Sequence, residues 1–188
     1  MGWERITSEV VHRGPHITLR RDSVRQPGGT AGVYEHIVVH DIVRVVALDE
    51  DGQVILVEDD FYLQQRRVLH LPGGSTDGQH PHEAARRELE EETGLMAGRL
   101  RTLGVIDPLP AATAARCHLL LATDLQPGKT NRDETEKGMT VHRWALRDAV
   151  AAVRDGRITE AGSFAALLLA AAETATETAL PKGLDPAT

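Results

Sequence analysis

Glu88, Glu91 and Glu92 lie within the run Arg87-Glu88-Leu89-Glu90-Glu91-Glu92-Thr93-Gly94-Leu95. On a helix, the spacing i, i+3, i+4 puts three carboxylates on one face, where they repel one another unless a cation neutralises them. Hard divalent metals, Mg²⁺ above all, take a few carboxylate oxygens and complete their shell with water and substrate phosphates. The first chemistry to expect is therefore phosphate chemistry. The competing reading is a solvated acidic face served by its basic neighbours Arg86 and Arg87.

A face of this kind needs elements that hold it, and the preceding residues supply them. Leu71-Pro72-Gly73-Gly74 closes an apolar segment, residues 75–80 form a polar loop with a further glycine, and Pro81 suits the first turn of a helix. From Pro81 onward, Ala84, Ala85, Leu89 and Glu92 line adjoining parts of the helix surface, so the apolar stripe runs beside the acidic one. Gly94 supplies the C-terminal stop. The unit reads as strand, glycine loop, short acidic helix, turn.

That unit resembles the signature of the Nudix hydrolases, Gly-x5-Glu-x7-Arg-Glu-U-x-Glu-Glu-x-Gly-U with U aliphatic. Counted from Gly73, the chain offers Gly73, Gln79, Arg87, Glu88, Leu89, Glu91, Glu92, Gly94 and Leu95. Only the first glutamate is missing, replaced by Gln79. Many members begin the count at the second glycine of such a pair, and on that alignment the loop is one residue short. A long pattern with fixed internal spacing is far more specific than a lone glycine motif.

Composition fits one compact domain with a substantial core: 188 residues, 41% hydrophobic and 26% charged. A net charge of −7 argues against a nucleic-acid surface held by bulk charge, though not against a nucleotide in a cleft. The single cysteine, Cys117, allows no internal disulfide and reads as a buried strand thiol. Residues 1–14 carry charges without a long apolar core, so no secretory signal is expected, and Ile6 breaks the myristoylation pattern. The apolar stretch 164–172 is too short to span a bilayer. These features point to a cytoplasmic protein with no membrane partner.

Strands are predicted over residues 17–24, 33–39, 42–48, 53–57, 68–71, 99–106, 115–123 and 138–144. Helices are predicted from Pro81 to Gly94, over 146–155 and from 159 to about 178. Residues 26–32 form a hairpin loop, and Asp51-Gly52 is a second hairpin signal. The order suits an α/β fold, an α/β/α sandwich with a mixed sheet, which the resemblance also implies. The expected organisation is an N-terminal β extension over 1–40, a Nudix hydrolase domain over 41–179 and a flexible tail over 180–188. The extension is similar to that of the ADP-ribose pyrophosphatase branch, where it helps build a homodimer. The segments Val46-Ala47-Leu48-Asp49, Gln53-Val54-Ile55-Leu56-Val57-Glu58 and Trp144-Ala145-Leu146-Arg147-Asp148 are similar to that branch as well. Asp59-Asp60-Phe61-Tyr62 departs from its Gln-Tyr-Arg-Tyr-like segment.

The resemblance implies metal-assisted hydrolysis of the pyrophosphate in a nucleoside diphosphate linked to another moiety, with ADP-ribose the best candidate and Mg²⁺ (or Mn²⁺) the cofactor. Residue by residue, it implies that Glu88 and Glu92 are metal ligands and Glu91 a ligand or base, with the Gly73 carbonyl a further oxygen. Arg87 would orient a glutamate through a charge-assisted bond. A general base from a later loop is implied too, and the matching loop, residues 130–138, offers Glu134 or Glu136. His80 and His82 flank Pro81 without a third ligand at defined spacing, a poor zinc signal. His36, His40, His70, His118 and His142 are scattered through predicted strands and receive no role. The alternative function is a catalytically weak module binding such a nucleotide for regulation, motivated by Gln79 and the shortened loop.

Overall fold

The structure is a computed structural model, and it describes residues 2–132 and 137–179. Three antiparallel strands come first: β1 (Glu4–Arg13), β2 (Thr18–Arg25) and β3 (Ala31–Val38), in spatial order β1-β2-β3. The sequence reading placed the second and third to within two residues and missed β1. That strand is exposed at nearly every position, so no half-buried alternation marks it.

The main sheet contains β4 (Ile42–Leu48), β5 (Gln53–Phe61), β6 (Arg66–His70), β7 (Leu95–Ile106), β8 (Cys117–Pro127) and β9 (Thr140–Ala145). Its order is β6-β5-β4-β8-β7, with β9 also pairing β5. Only β4 and β8 run parallel, in register from Ile42↔Cys117 to Ala47↔Ala122, so the sheet is mixed as expected. The longest extensions beyond the predicted strands lie at the end of β5, which pairs β6 through Phe61, at the start of β7, and at the end of β8, which pairs Leu95 through Pro127. Backbone pairing there continues past the point where apolar alternation stops.

The central strand β4 is apolar at six of seven positions because both its faces are covered. On one face Val43, Val45 and Ala47 pack with Leu120 against Ala84, Ala85 and Leu89 of α1 (Pro81–Thr93). On the other, Val46, Leu56 and Leu119 pack against α2 (Leu146–Arg154) and α3 (Ala161–Ala179), chiefly through Ala149, Val153 and Leu167. This is the expected α/β/α sandwich. Cys117 is a free, buried thiol in β8, and burial pushes its pKa up to about 12. No described helix is long and apolar enough to cross a membrane. The expected tail over 180–188 lies outside the described residues.

Candidate active site on the acidic helix

The helix begins and ends where its residues dictate. His80 caps it, the ring Nδ1 accepting from the His82 N–H at 3.3 Å, and Pro81 opens the first turn. At the other end Gly94 is left-handed (φ 70°) and donates its N–H to the Glu90 carbonyl at 2.8 Å. Within the helix Glu88 and Glu92 are buried, 7% and 3% exposed, beside the apolar stripe. Carboxylates are seldom buried to this degree without partners.

Partners among the described residues come from the glycine loop and from Arg87. The Gly73 N–H donates to Oε2 of Glu92 at 2.9 Å. Gly73 has φ +136° and lies so close to β4 that a Cβ there would stand 2.2 Å from the Val43 carbonyl oxygen. A Cβ on Gly74 would come within 2.8 Å of Oε1 of Glu88. The two glycines thus allow the loop to reach both glutamates.

Arg87 gathers the rest. Its Nη1 lies 2.9 Å from Oε1 of Glu88 and 3.1 Å from Oε2 of Glu91. Its Nε donates to Oε1 of Gln79 at 3.1 Å and its Nη2 to the Ser75 carbonyl at 2.9 Å, with Asp77 3.5 Å away. Burial by itself would lower the Arg87 pKa; the Glu88 and Glu91 carboxylates more than reverse this, leaving it raised.

Of the residues singled out in the sequence, Gly73, Gln79, Arg87, Glu88, Glu91 and Glu92 are therefore brought together. Glu134 and Glu136 lie outside the described residues. The described ends of their loop are anchored: the Asn131 N–H donates to the Glu91 carbonyl at 3.1 Å, and Nε of Arg132 donates to the Glu92 carbonyl at 2.9 Å. Nη1 of Arg67 reaches the Gly138 carbonyl at 3.3 Å. His80 and His82 stand with ring centroids 5.5 Å apart. Among the described residues no three histidine, cysteine or acidic side chains form a ready-made metal cage. A cavity of about 580 Å³ begins at Gln79 and runs past Thr76, His82, Arg116 and His118, without including the three glutamates.

The donor set suits a hard divalent cation: buried carboxylate oxygens beside a glycine loop, with no soft ligand among them. Such ions take a few carboxylate oxygens and fill their other positions with water and phosphate oxygens. Two residues were missed in the sequence, Arg44 and Glu160. Nη1 of Arg44 donates to the Gly73 carbonyl, and its Nε lies 3.1 Å from Oε2 of Glu160. Arg44 stands in an otherwise apolar strand, and that interruption was the available signal.

A glycine loop and an acidic helix are thus held against one face of a mixed sheet that helices cover on both sides. The chain belongs to the Nudix hydrolase family: the NUDIX domain model matches residues 38–167. A model described as the nucleoside diphosphate sugar hydrolase N-terminal domain matches residues 3–37. The chain is 34% identical to the ADP-ribose pyrophosphatase of Mycobacterium tuberculosis over 97% of its own length and 89% of the relative's. It is 27% identical to the ADP compounds hydrolase NudE of Escherichia coli, over 86% of this chain and 87% of that one. A crystal structure of an ADP compounds hydrolase superposes with a TM-score of 0.83 at 25% identity, covering 96% of this chain and 98% of the other.

Proposed function

We propose that the protein hydrolyses the pyrophosphate of a nucleoside diphosphate linked to another moiety, with ADP-ribose, cleaved to AMP and ribose 5-phosphate, as its substrate and Mg²⁺ or Mn²⁺ as its cofactor. The observation that carries the reading is the set of Glu88, Glu91 and Glu92, fixed by Arg87 and Gly73 on one helix. The similarity to an ADP-ribose pyrophosphatase along nearly the whole chain supports the substrate.

Glu88 and Glu92 would hold the cation, with Glu91 as a further ligand or as base and the Gly73 carbonyl as a further oxygen. When bound, a divalent cation neutralises pyrophosphate charge and lowers the pKa of water. Water adds to one phosphorus, the bridging P–O bond breaks toward the other phosphate, and a carboxylate takes the water's proton. Glu134 and Glu136 are the candidates for that base besides Glu91, supported by the anchoring of their loop on the Glu91 and Glu92 carbonyls. Arg87 touches no phosphate in this scheme; it orients Glu88 and Glu91.

The organisation belongs to the same proposal: an extension over 1–40, a hydrolase domain over 41–179 and a tail over 180–188. So does a homodimer built through the extension. Ile6, Val10 and Val33 are exposed apolar residues on the three-stranded sheet, and Trp3 is exposed just before its first strand. A cytoplasmic setting is part of the same proposal. Neither nucleic acid nor membrane is a partner in this reading.

Screening the purified protein against nucleoside diphosphate derivatives with Mg²⁺ or Mn²⁺, and identifying the phosphate-containing products, tests the proposal. Metal-dependent release of AMP from ADP-ribose is the expected result. Binding of ADP-ribose without turnover of any diphosphate would favour the regulatory alternative that Gln79 motivates.

A further inference from the structure

The loop over residues 71–74 has its polar backbone atoms tied from three directions. From β4, the Val45 N–H donates to the Pro72 carbonyl and the Val43 N–H to the Gly74 carbonyl, each at 2.9 Å. From α1, Glu92 accepts the Gly73 N–H. From the segment leading into α3, Oγ of Ser163 accepts the Leu71 N–H at 2.8 Å. The Leu71 carbonyl lies 2.9 Å from Nδ1 of His70, and the Gly73 carbonyl is tied by the guanidinium of Arg44.

Arg44 is only 8% exposed, and its charge is answered within the same cluster. Oε2 of Glu160 lies 3.1 Å from its Nε, and that oxygen also accepts from the N–H and the Oγ of Ser163, both at 2.7 Å. Nη1 of Arg44 reaches the Val43 carbonyl at 3.1 Å as well. A planar fork with several fixed donors can serve Glu160, Val43 and Gly73 together; a lysine ammonium at the end of a flexible stem cannot match that geometry. The Gly73 backbone is consequently held from both faces of the sheet, through two successive peptide groups. Its N–H faces a carboxylate of α1, and its carbonyl is held by a cation whose counter-ion leads into α3 on the opposite face.

We infer that Arg44, with Glu160 as its counter-ion, is a positioning residue that fixes the Gly73 backbone and through it the Glu92 carboxylate, so that the pair sets metal affinity without touching metal or substrate. The inference rests on the metal role of Glu92 proposed above; the Gly73 carbonyl has two lone pairs and can accept from Arg44 while serving as the further oxygen of that proposal. Arg44 acts from behind the loop, as partners of metal ligands do elsewhere, where their loss costs about 10–100-fold in affinity.

The test measures Mn²⁺ binding by electron paramagnetic resonance of the free ion, on the full chain and without substrate. Arg44→Lys, Arg44→Met and Glu160→Gln are compared with Val46→Ala, a core truncation on the same sheet face that leaves the loop's hydrogen bonds intact. The two Arg44 variants are expected to weaken Mn²⁺ binding at least about tenfold and to raise the metal concentration for half-maximal rate. Glu160→Gln should do so by a smaller factor. The nucleotide KM at saturating metal should stay within about twofold of the parent in all three, while Val46→Ala lowers the melting temperature and leaves Mn²⁺ affinity unchanged. Where Arg44→Met fails to fold, Arg44→Lys and Glu160→Gln carry the comparison. Parent-like Mn²⁺ affinity in Arg44→Lys overturns the inference, and so does tighter binding, which would make Arg44 a competitor for the Gly73 carbonyl. A parent that binds no Mn²⁺ overturns both the metal reading and this one, a result distinct from a parent that binds and variants that bind equally.

Discussion

Nε of Arg87 donates to Oε1 of Gln79 at 3.1 Å, across the loop that separates the glycine turn from the acidic helix. The amide thus occupies the place of the motif's first glutamate and makes a bond to the motif arginine, but without charge. Asp77, 3.5 Å from the same guanidinium, supplies part of the missing negative charge from the same loop. Replacing the amide by carboxylate turns a neutral acceptor into a charge-assisted one. Gln79→Glu is therefore expected to raise kcat/KM for the true substrate or to lower the metal concentration for half-maximal rate. Steady-state kinetics with a metal titration decide it, and parameters equal to the parent's would leave the shortened loop as the departure to explain.

Arg87 serves Gln79, the Ser75 carbonyl, Glu88 and Glu91 at once. Lysine keeps the charge and loses the fork. Arg87→Lys should lower kcat by about 10–100-fold, the scale for groups that orient metal ligands, with melting temperature changed by only a few degrees. Equal loss from Arg87→Lys and Arg87→Ala, read by kinetics beside thermal denaturation, supports the geometric role; full activity in the lysine variant argues for charge alone.

The two loop glycines should respond differently to alanine. At Gly73 the added Cβ meets backbone, 2.2 Å from the Val43 carbonyl oxygen, at φ +136°. Gly73→Ala should destabilise the fold by several kcal/mol, in the range of severe backbone conflicts. At Gly74 the nearest atoms belong to the movable end of Glu88, so Gly74→Ala should displace that carboxylate and reduce activity while sparing stability. Chemical denaturation and turnover measured on both variants test the contrast; a stable, inactive Gly73→Ala would contradict it.

Stability should fall on the acid side in two stages. Burial lowers the His70 pKa to about 4 from an ordinary 6.5, so the folded state resists a proton that the unfolded chain accepts. Stability is then full above about pH 6.5 and declines as pH falls toward 4, by at most on the order of 3 kcal/mol. At Glu160 burial opposes ionisation, but Arg44 and Ser163 more than compensate and hold its pKa at about 2. Its contribution is full above about pH 4.5 and declines as pH falls toward 2. His70→Gln should flatten the urea-midpoint profile between pH 6.5 and 4 and leave the lower limb. An unchanged upper limb would show that His70 does not set it.

The proposed dimer has a direct test. Light scattering on the full chain should give a homodimer, and a chain starting at Asp41 should give a monomer, because removing β1 to β3 takes away the exposed apolar residues of the small sheet. A monomeric full chain refutes the dimer, and an unchanged dimer after truncation moves the interface elsewhere.

The local features were legible in sequence because each is fixed by its own residues and near neighbours. Pro81 and Gly94 bound the helix since one presets its backbone and the other tolerates the left-handed stop. The spacing of Glu88, Glu91 and Glu92 placed three carboxylates on one helix, and Asp51-Gly52 marked a turn in which Gly52 has φ 72°. Strand β1 escaped because both its faces meet solvent, leaving no burial to impose a pattern. The rest belongs to tertiary structure alone. Arg44 and Glu160 stand 116 residues apart, and nothing local to either says that one neutralises the other or that the guanidinium ends on the Gly73 carbonyl. That meeting depends on the parallel pairing of β4 with β8 and on α3 covering the face opposite α1, which bring a strand charge, a helix approach and a glycine loop to one point.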